Sequence, residues 1–332
     1  MRIKIFFLSF FIPVFFFGQP CDSLLLESIT NPGPYLVSNI DESDGLRDGP
    51  DYYEATIYYP QYISSFLPSI IFVPGYSNTQ FTIQNWGWFL ASHGIVTMTI
   101  GTNTLFDTHT QRRDALLDAL LTLKLENERI GSPLFGNIDT SRMAVGGFSK
   151  GGGGAQLAAV VDSDLKAVIA LYPWLENPAL IDLSHSVPVL IASGEIDIIA
   201  PPSAHANIHY NYTPATTNKL LYEIQNATHD PLIGPYAGNG DLGVMVLSWL
   251  QTYLLEDTCY CPILLTPPNT ASSYMTNIDC DVTPLENSQF INEETKLKYT
   301  LDILGRKTEQ RKNHIFFLIY ENGKVEKRII VD

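Results

Sequence analysis

Gly147-Phe148-Ser149-Lys150-Gly151, running on into Gly152-Gly153-Gly154-Ala155, decides the fold. It fits the Gly-x-Ser-x-Gly nucleophile elbow, a strand-to-helix turn too tight for side chains two residues either side of the serine. Such a turn lifts the serine hydroxyl off the sheet and sets it beside the first amides of a helix. Five letters alone are a weak signal, so the flanks matter. Arg142-Met143-Ala144-Val145 reads as a short buried strand, and Ala155 to Val161 as a helix rich in small residues. Strand, elbow and helix are the context the motif requires.

Outward from the elbow, the apolar runs alternate in type. Strands are expected at Tyr53–Tyr59, Pro68–Pro74, Gly94–Ile100, Ala167–Tyr172, Val187–Ser193 and Lys219–Ile224. Most are short and continuously apolar, as strands covered on both faces are. Helices are expected at Trp86–His93, Thr110–Asn127 and Asp241–Glu256. This alternation implies an α/β architecture, a mostly parallel sheet with helices on both faces, and the order fits an α/β-hydrolase. After about residue 283 the pattern changes. Tyr299–Arg306, Asn313–Tyr320 and Val325–Val331 read as strands, and Asn322-Gly323 is a hairpin signal. They predict a small C-terminal β module over 283–332.

The chain has 332 residues and a net charge of −15. Residues 19–282 carry 9 Lys and Arg against 27 Asp and Glu; residues 283–332 carry 9 against 8. That break marks a module boundary. The acidic body excludes phosphate-driven nucleic-acid binding and adhesion to anionic membranes. Residues 1–18 have the pattern of a secretory signal, with Arg2 and Lys4 ahead of an apolar run and Gly18 at the cleavage point. No membrane span is expected; a secreted monomer is, either extracellular or attached to the cell surface. The four cysteines agree with export. Cys259 and Cys261 are too close to bridge in an extended segment, so each pairs with Cys21 or Cys280. Cys261–Cys280 with Cys21–Cys259 is the favoured pairing. No histidine lies near Cys259, Cys261 and Cys280, which argues against a metal there, and neither metal nor cofactor is expected.

A serine nucleophile needs a base, and the base an acidic partner, in the chain order Ser, Asp or Glu, His. His229 follows the last main strand and returns over the strands' C-terminal ends. His205 and His209 read as a solvated helical face, with zinc binding as the alternative; His185 reads as a turn residue and His314 lies in the tail. Asp197, after the strand at 187–193, is the expected acid, and Glu195 is the alternative. Asp182 precedes that strand, and Asp162 and Asp164 read as loop charges. The oxyanion donors expected are the amides of Lys150 and Tyr76.

Several ordered segments carry a resemblance. They are Val73-Pro74-Gly75-Tyr76, Trp86-Gly87, Leu90-Ala91-Ser92-His93-Gly94, Asp139-Thr140-Ser141-Arg142-Met143, the elbow, Tyr172-Pro173-Trp174, Gly194-Glu195-Ile196-Asp197 with Ala200-Pro201, and Thr228-His229. Over roughly residues 50–280 the chain resembles the bacterial polyester hydrolases, a cutinase-like branch of the dienelactone-hydrolase relatives that includes the poly(ethylene terephthalate) hydrolases. The resemblance implies a triad of Ser149, Asp197 and His229, an oxyanion hole at Tyr76 and Lys150, and an aromatic clamp of Tyr76 and Trp174 with Phe148 and Ile199 lining the cleft. The chain departs from the family at Lys150, where Met is usual, at Phe148, where Trp or His is usual, and at Asp230. The tail resembles the C-terminal sorting domain of type IX secretion cargo through Leu304-Gly305-Arg306 and Gly323-Lys324-Val325-Glu326-Lys327, which implies the secretion machinery as a partner. The implied activity is serine hydrolysis of polymeric or small esters. A small-ester or lipid esterase is the alternative within this class, and a non-catalytic adhesin on a hydrolase scaffold the alternative outside it.

Overall fold

The computed structural model describes residues 29, 32–61, 66–230, 232–280, 297–302, 306–308, 315–320 and 325–329. The chain divides into two compact units, Met1–Cys280 and Asp281–Asp332.

The first unit is built on nine strands: β1 (Val37–Asp41), β2 (Tyr53–Pro60), β3 (Leu67–Val73), β4 (Val96–Gly101), β5 (Ile138–Phe148), β6 (Ala167–Leu171), β7 (Val189–Gly194), β8 (Lys219–Ile224) and β9 (Ala271–Thr276). Their order across the sheet is β1-β2-β4-β3-β5-β6-β7-β8-β9. β4, β3, β5, β6, β7 and β8 run parallel to one another, whereas β1 and β2, β2 and β4, and β8 and β9 pair antiparallel. The α/β-hydrolase architecture expected from the alternation is the one present. The antiparallel strands β1 and β9 were not anticipated. Both are short and rich in Ser, Asn, Asp or Thr, so their local pattern is weak, and pairing with β2 and β8 defines them.

Among the described residues five α-helices pack on this sheet: α1 (Gln84–Ser92), α2 (His109–Glu126), α3 (Lys150–Val161), α4 (Ala206–Tyr212) and α5 (Asp241–Tyr253). Strand period 2 sorts the core. Ile70 and Phe72 join Trp86 and Leu90 of α1 and Leu242, Val246 and Trp249 of α5 in one cluster. Their alternates Ile71 and Val73 join Leu116, Leu120 and Leu123 of α2 and Ala155, Ala158 and Ala159 of α3 in the other. A strand buried on both faces needs apolar residues at every position, which explains the unbroken runs. Among the described residues no helix is long and apolar enough to cross a membrane.

Cys261 and Cys280 form a disulfide, Cα atoms 5.8 Å apart. Cys21 lies outside the described residues, as does the expected signal at 1–18. In the second unit, β10 (Leu297–Asp302), β11 (Ile315–Tyr320) and β12 (Val325–Ile329) form a three-stranded antiparallel sheet. His314 and the Asn322-Gly323 turn lie outside the described residues.

Candidate active site

Three loops at the C-terminal ends of parallel strands meet over the middle of the sheet, where open α/β sheets place their ligands. Ser149 follows β5 directly and caps α3, with φ 55° and ψ −119°. A non-glycine residue there is strained, and its neighbours hold it. Its amide donates to the Leu171 carbonyl at 2.8 Å, and its carbonyl accepts from Gly153 at 3.1 Å and Trp174 at 2.9 Å. Two glycines make the turn possible. A Cβ on Gly147 would stand 2.4 Å from the Gly151 carbonyl, and one on Gly151 2.4 Å from the Val73 oxygen. No side chain fits either position, so the elbow's spacing is a packing requirement.

Asp197 lies three residues beyond β7 and His229 five beyond β8. His229 Nε2 is 3.0 Å from Ser149 Oγ, and His229 Nδ1 is 2.6 Å from Asp197 Oδ2. Asp197 Oδ1 accepts from the Ile199 and Ala200 amides, each at 2.8 Å. Burial alone would raise the Asp197 carboxyl. The hydrogen bond from His229, joined by the two amides and the imidazole's charge, outweighs it and holds the group below its ordinary value. Glu195, the alternative acid, points elsewhere, accepting from the Asn226 amide at 2.8 Å.

Lys150 is the first residue of α3 and follows Ser149 directly, so its N–H has no partner within the helix. The loop after β3 abuts the same point, since a Cβ on Gly75 would lie 3.0 Å from Ser149 Cβ. Arg112 holds this loop from behind. It is fully buried, and its Nε donates to the Pro74 carbonyl at 2.9 Å and its Nη2 to the Gly75 carbonyl at 2.8 Å. Burial pushes its guanidinium down to about 10. Arg112 was missed in the sequence. The available signal was an arginine three and four residues before Ala115 and Leu116, on the stripe that faces the core.

Tyr76 and Trp174 flank the mouth. Tyr76 is 47% exposed and lies against Phe106, ring centroids 5.4 Å apart. Trp174 is half-buried and stacks on His205 at 5.7 Å and 25°. Ile199 is 60% exposed, on the loop after Asp197. Phe148, expected to line the cleft, is a correction: it is 1% exposed, a core residue whose ring lies 4.8 Å from that of His229. The long strand β5 ends at Phe148, whose ring joins the core 6.0 Å from that of Tyr172. The solvated face expected for His205 and His209 is also corrected. His209 is fully buried, hydrogen-bonded through Nδ1 to Gln156, and burial depresses its pKa. His185 is in a loop but buried. Among the described residues no three His, Cys, Asp or Glu side chains are grouped to hold a metal.

The fold and this Ser–His–Asp arrangement define the α/β-hydrolase class. A family described as PET hydrolase-like matches residues 19–281. Cutinase est1 of Thermobifida alba is 38% identical over 256 residues, 76% of this chain and 80% of that protein. The cutinase of Thermobifida fusca (strain YX) is 35% identical over 250 residues, 75% and 78%. The bis(hydroxyethyl) terephthalate hydrolase of Streptomyces coelicolor is 34% identical over 236 residues, 70% and 72%. The chain belongs to the PET hydrolase-like family and, with it, to the carboxylic ester hydrolases.

Proposed function

We propose that the protein cleaves polyester bonds through an acyl-enzyme on Ser149. The observation that carries this reading is the continuous relay from Ser149 Oγ through His229 to Asp197. Ser149 attacks the ester carbonyl while His229 Nε2 takes its proton; the C–O bond to the alcohol breaks as His229 returns that proton to the leaving oxygen. Water, deprotonated by His229, then attacks the acyl-enzyme; the acyl C–O bond to Ser149 breaks, His229 returns the proton to Ser149 Oγ, and the acid leaves. Asp197 holds the imidazole with its proton on Nδ1. The Lys150 and Tyr76 amides stabilise the oxyanion. Tyr76 and Trp174 grip the acyl group, and Ile199 lines the cleft beside them. Cutin-like polyester or poly(ethylene terephthalate) is the substrate class, in keeping with the cutinases and the terephthalate-ester hydrolase among the relatives. The test is a polyester film incubated with the protein beside soluble p-nitrophenyl esters. Release of monomeric acid from the film supports the reading; ester turnover with no release from any film restricts the protein to small esters.

We assign Arg112 a positioning role for the Tyr76 amide. Arg112→Met keeps the volume and removes the donors to Pro74 and Gly75. A shift of that loop by about 1 Å would lower kcat by about 10²-fold, with KM changed less. A loss of thermal stability at unchanged kcat would make Arg112 a structural residue only.

The protein is further proposed to be secreted and monomeric. The signal pattern at 1–18 supports export, and the Cys261–Cys280 disulfide fits an oxidising compartment. Cys21–Cys259 is the second proposed bridge. The unit from 283 to 332 is read as a type IX sorting domain, on its sequence resemblance and its small antiparallel sheet.

A further inference from the structure

The mouth of the site holds a cation. The Lys150 ammonium lies 4.3 Å from the Tyr76 ring centroid and 5.0 Å from the Trp174 centroid. It therefore sits between the two rings assigned to the acyl group. None of the ion pairs among the described residues involves Lys150. Burial, with Arg112 nearby, makes its charge more costly to hold, and Glu176 offsets this only in part. This is a positive group without a bonded anion, in a chain of net charge −15.

That position has consequences for what binds. A neutral diester of an aromatic diacid has an electron-poor ring, because two carbonyls withdraw density from its face. Such a ring repays little of the cation–π attraction it displaces between Tyr76 and Trp174. An acyl group ending in a free carboxylate is different. It offers the ammonium a charge-assisted hydrogen bond, in a cleft where the rings exclude part of the water. The surrounding acidic surface repels such an anion at long range, and Lys150 is the local counter-charge.

We propose that Lys150 is a specificity residue whose side chain selects acyl groups bearing a distal carboxylate, that is, half-esters of dicarboxylic acids such as the anionic ends left by polyester cleavage. This rests on the reading of Ser149 as nucleophile and names the substrate class of that site. The Lys150 amide serves the oxyanion and its ammonium the far end of the acyl group, so one residue spans the acyl group.

The test compares monomethyl and dimethyl terephthalate in the wild type, Lys150→Met and Lys150→Arg. The quantity read is the ratio of kcat/KM for the half-ester to that for the diester within each protein. Lys150→Met is expected to lower this ratio about tenfold, as loss of a hydrogen bond to a charged group would, with the loss mostly in KM. Lys150→Arg is expected to restore most of it. In the wild type the ratio falls as salt is added. An unchanged ratio in Lys150→Met, or an equal change for both esters, overturns the proposal and makes the ammonium a plug between the rings. Ser149→Ala run beside them separates the two failures. If it abolishes both turnovers while the ratio is insensitive to Lys150, only the present inference falls. If it leaves both turnovers intact, the nucleophile assignment falls and this inference with it.

Discussion

Ser149→Ala is expected to lower ester turnover by on the order of 10⁶-fold while leaving the fold intact. The reason is geometric. Ser149 Oγ is the atom at hydrogen-bond distance from His229 Nε2. No other hydroxyl is placed on the elbow, where the Lys150 amide and the loop carrying Tyr76 converge. The substitution costs little stability. Serine and alanine carry the same Cβ into the same strained backbone at φ 55°, so no strain is added or relieved. The backbone bonds to Leu171, Gly153 and Trp174 do not involve the side chain. One hydrogen bond to an imidazole is lost, about 1 kcal/mol. Steady-state hydrolysis of a soluble p-nitrophenyl ester, beside circular dichroism and a thermal melt, measures both halves. Turnover above a tenth of wild type would remove Ser149 from the mechanism and reopen the adhesin reading.

The features that were legible in the sequence are those set by local sterics and by strand period. Gly147 and Gly151 are demanded by backbone contacts across one turn, so the motif carries its own three-dimensional meaning. The parallel strands are legible because burial on both faces forces a run such as Ile70-Ile71-Phe72-Val73. Asp197 and His229 are found by counting from strand ends. What escaped depends on tertiary contacts. Arg112 looks like one more charge on an amphipathic helix until β3's loop is laid over it. His209 has helical spacing from His205, yet Gln156 of α3 claims it from the far side. Phe148 sits beside the nucleophile in sequence, yet it is the last residue of β5 and packs in the core, whereas Ser149 has left the strand at φ 55°. At Lys150 the sequence shows a departure from the family's usual Met, but that its ammonium lies against both Tyr76 and Trp174 depends on the tertiary structure.

Asp197→Asn is expected to lower turnover by about 10⁴-fold, although the new side chain has nearly the same shape. The carboxylate is fixed at both oxygens. Oδ1 accepts from the Ile199 and Ala200 amides, and Oδ2 accepts from His229 Nδ1. An asparagine must keep its carbonyl oxygen toward the two backbone amides, since an NH2 group there would set donor against donor. Its NH2 then faces His229 and donates to Nδ1, so the imidazole moves its proton to Nε2. That nitrogen now presents a hydrogen to Ser149 Oγ and has no lone pair to accept one, and the general base is lost with every heavy atom in place. The acid limb of stability should change as well. The Asp197 pKa is depressed on folding. Its contribution is therefore fully present above the unfolded value near 3.9 and is lost as pH falls through the lower folded value. Asparagine does not titrate, so the variant should lose less stability than wild type between about pH 4 and lower pH. Glu195→Gln is the control, because Glu195 bonds Asn226 and not the ring, and its turnover should stay near wild type. A fall of less than tenfold in Asp197→Asn, or a large one in Glu195→Gln, would mean that the orienting carboxylate has been misassigned.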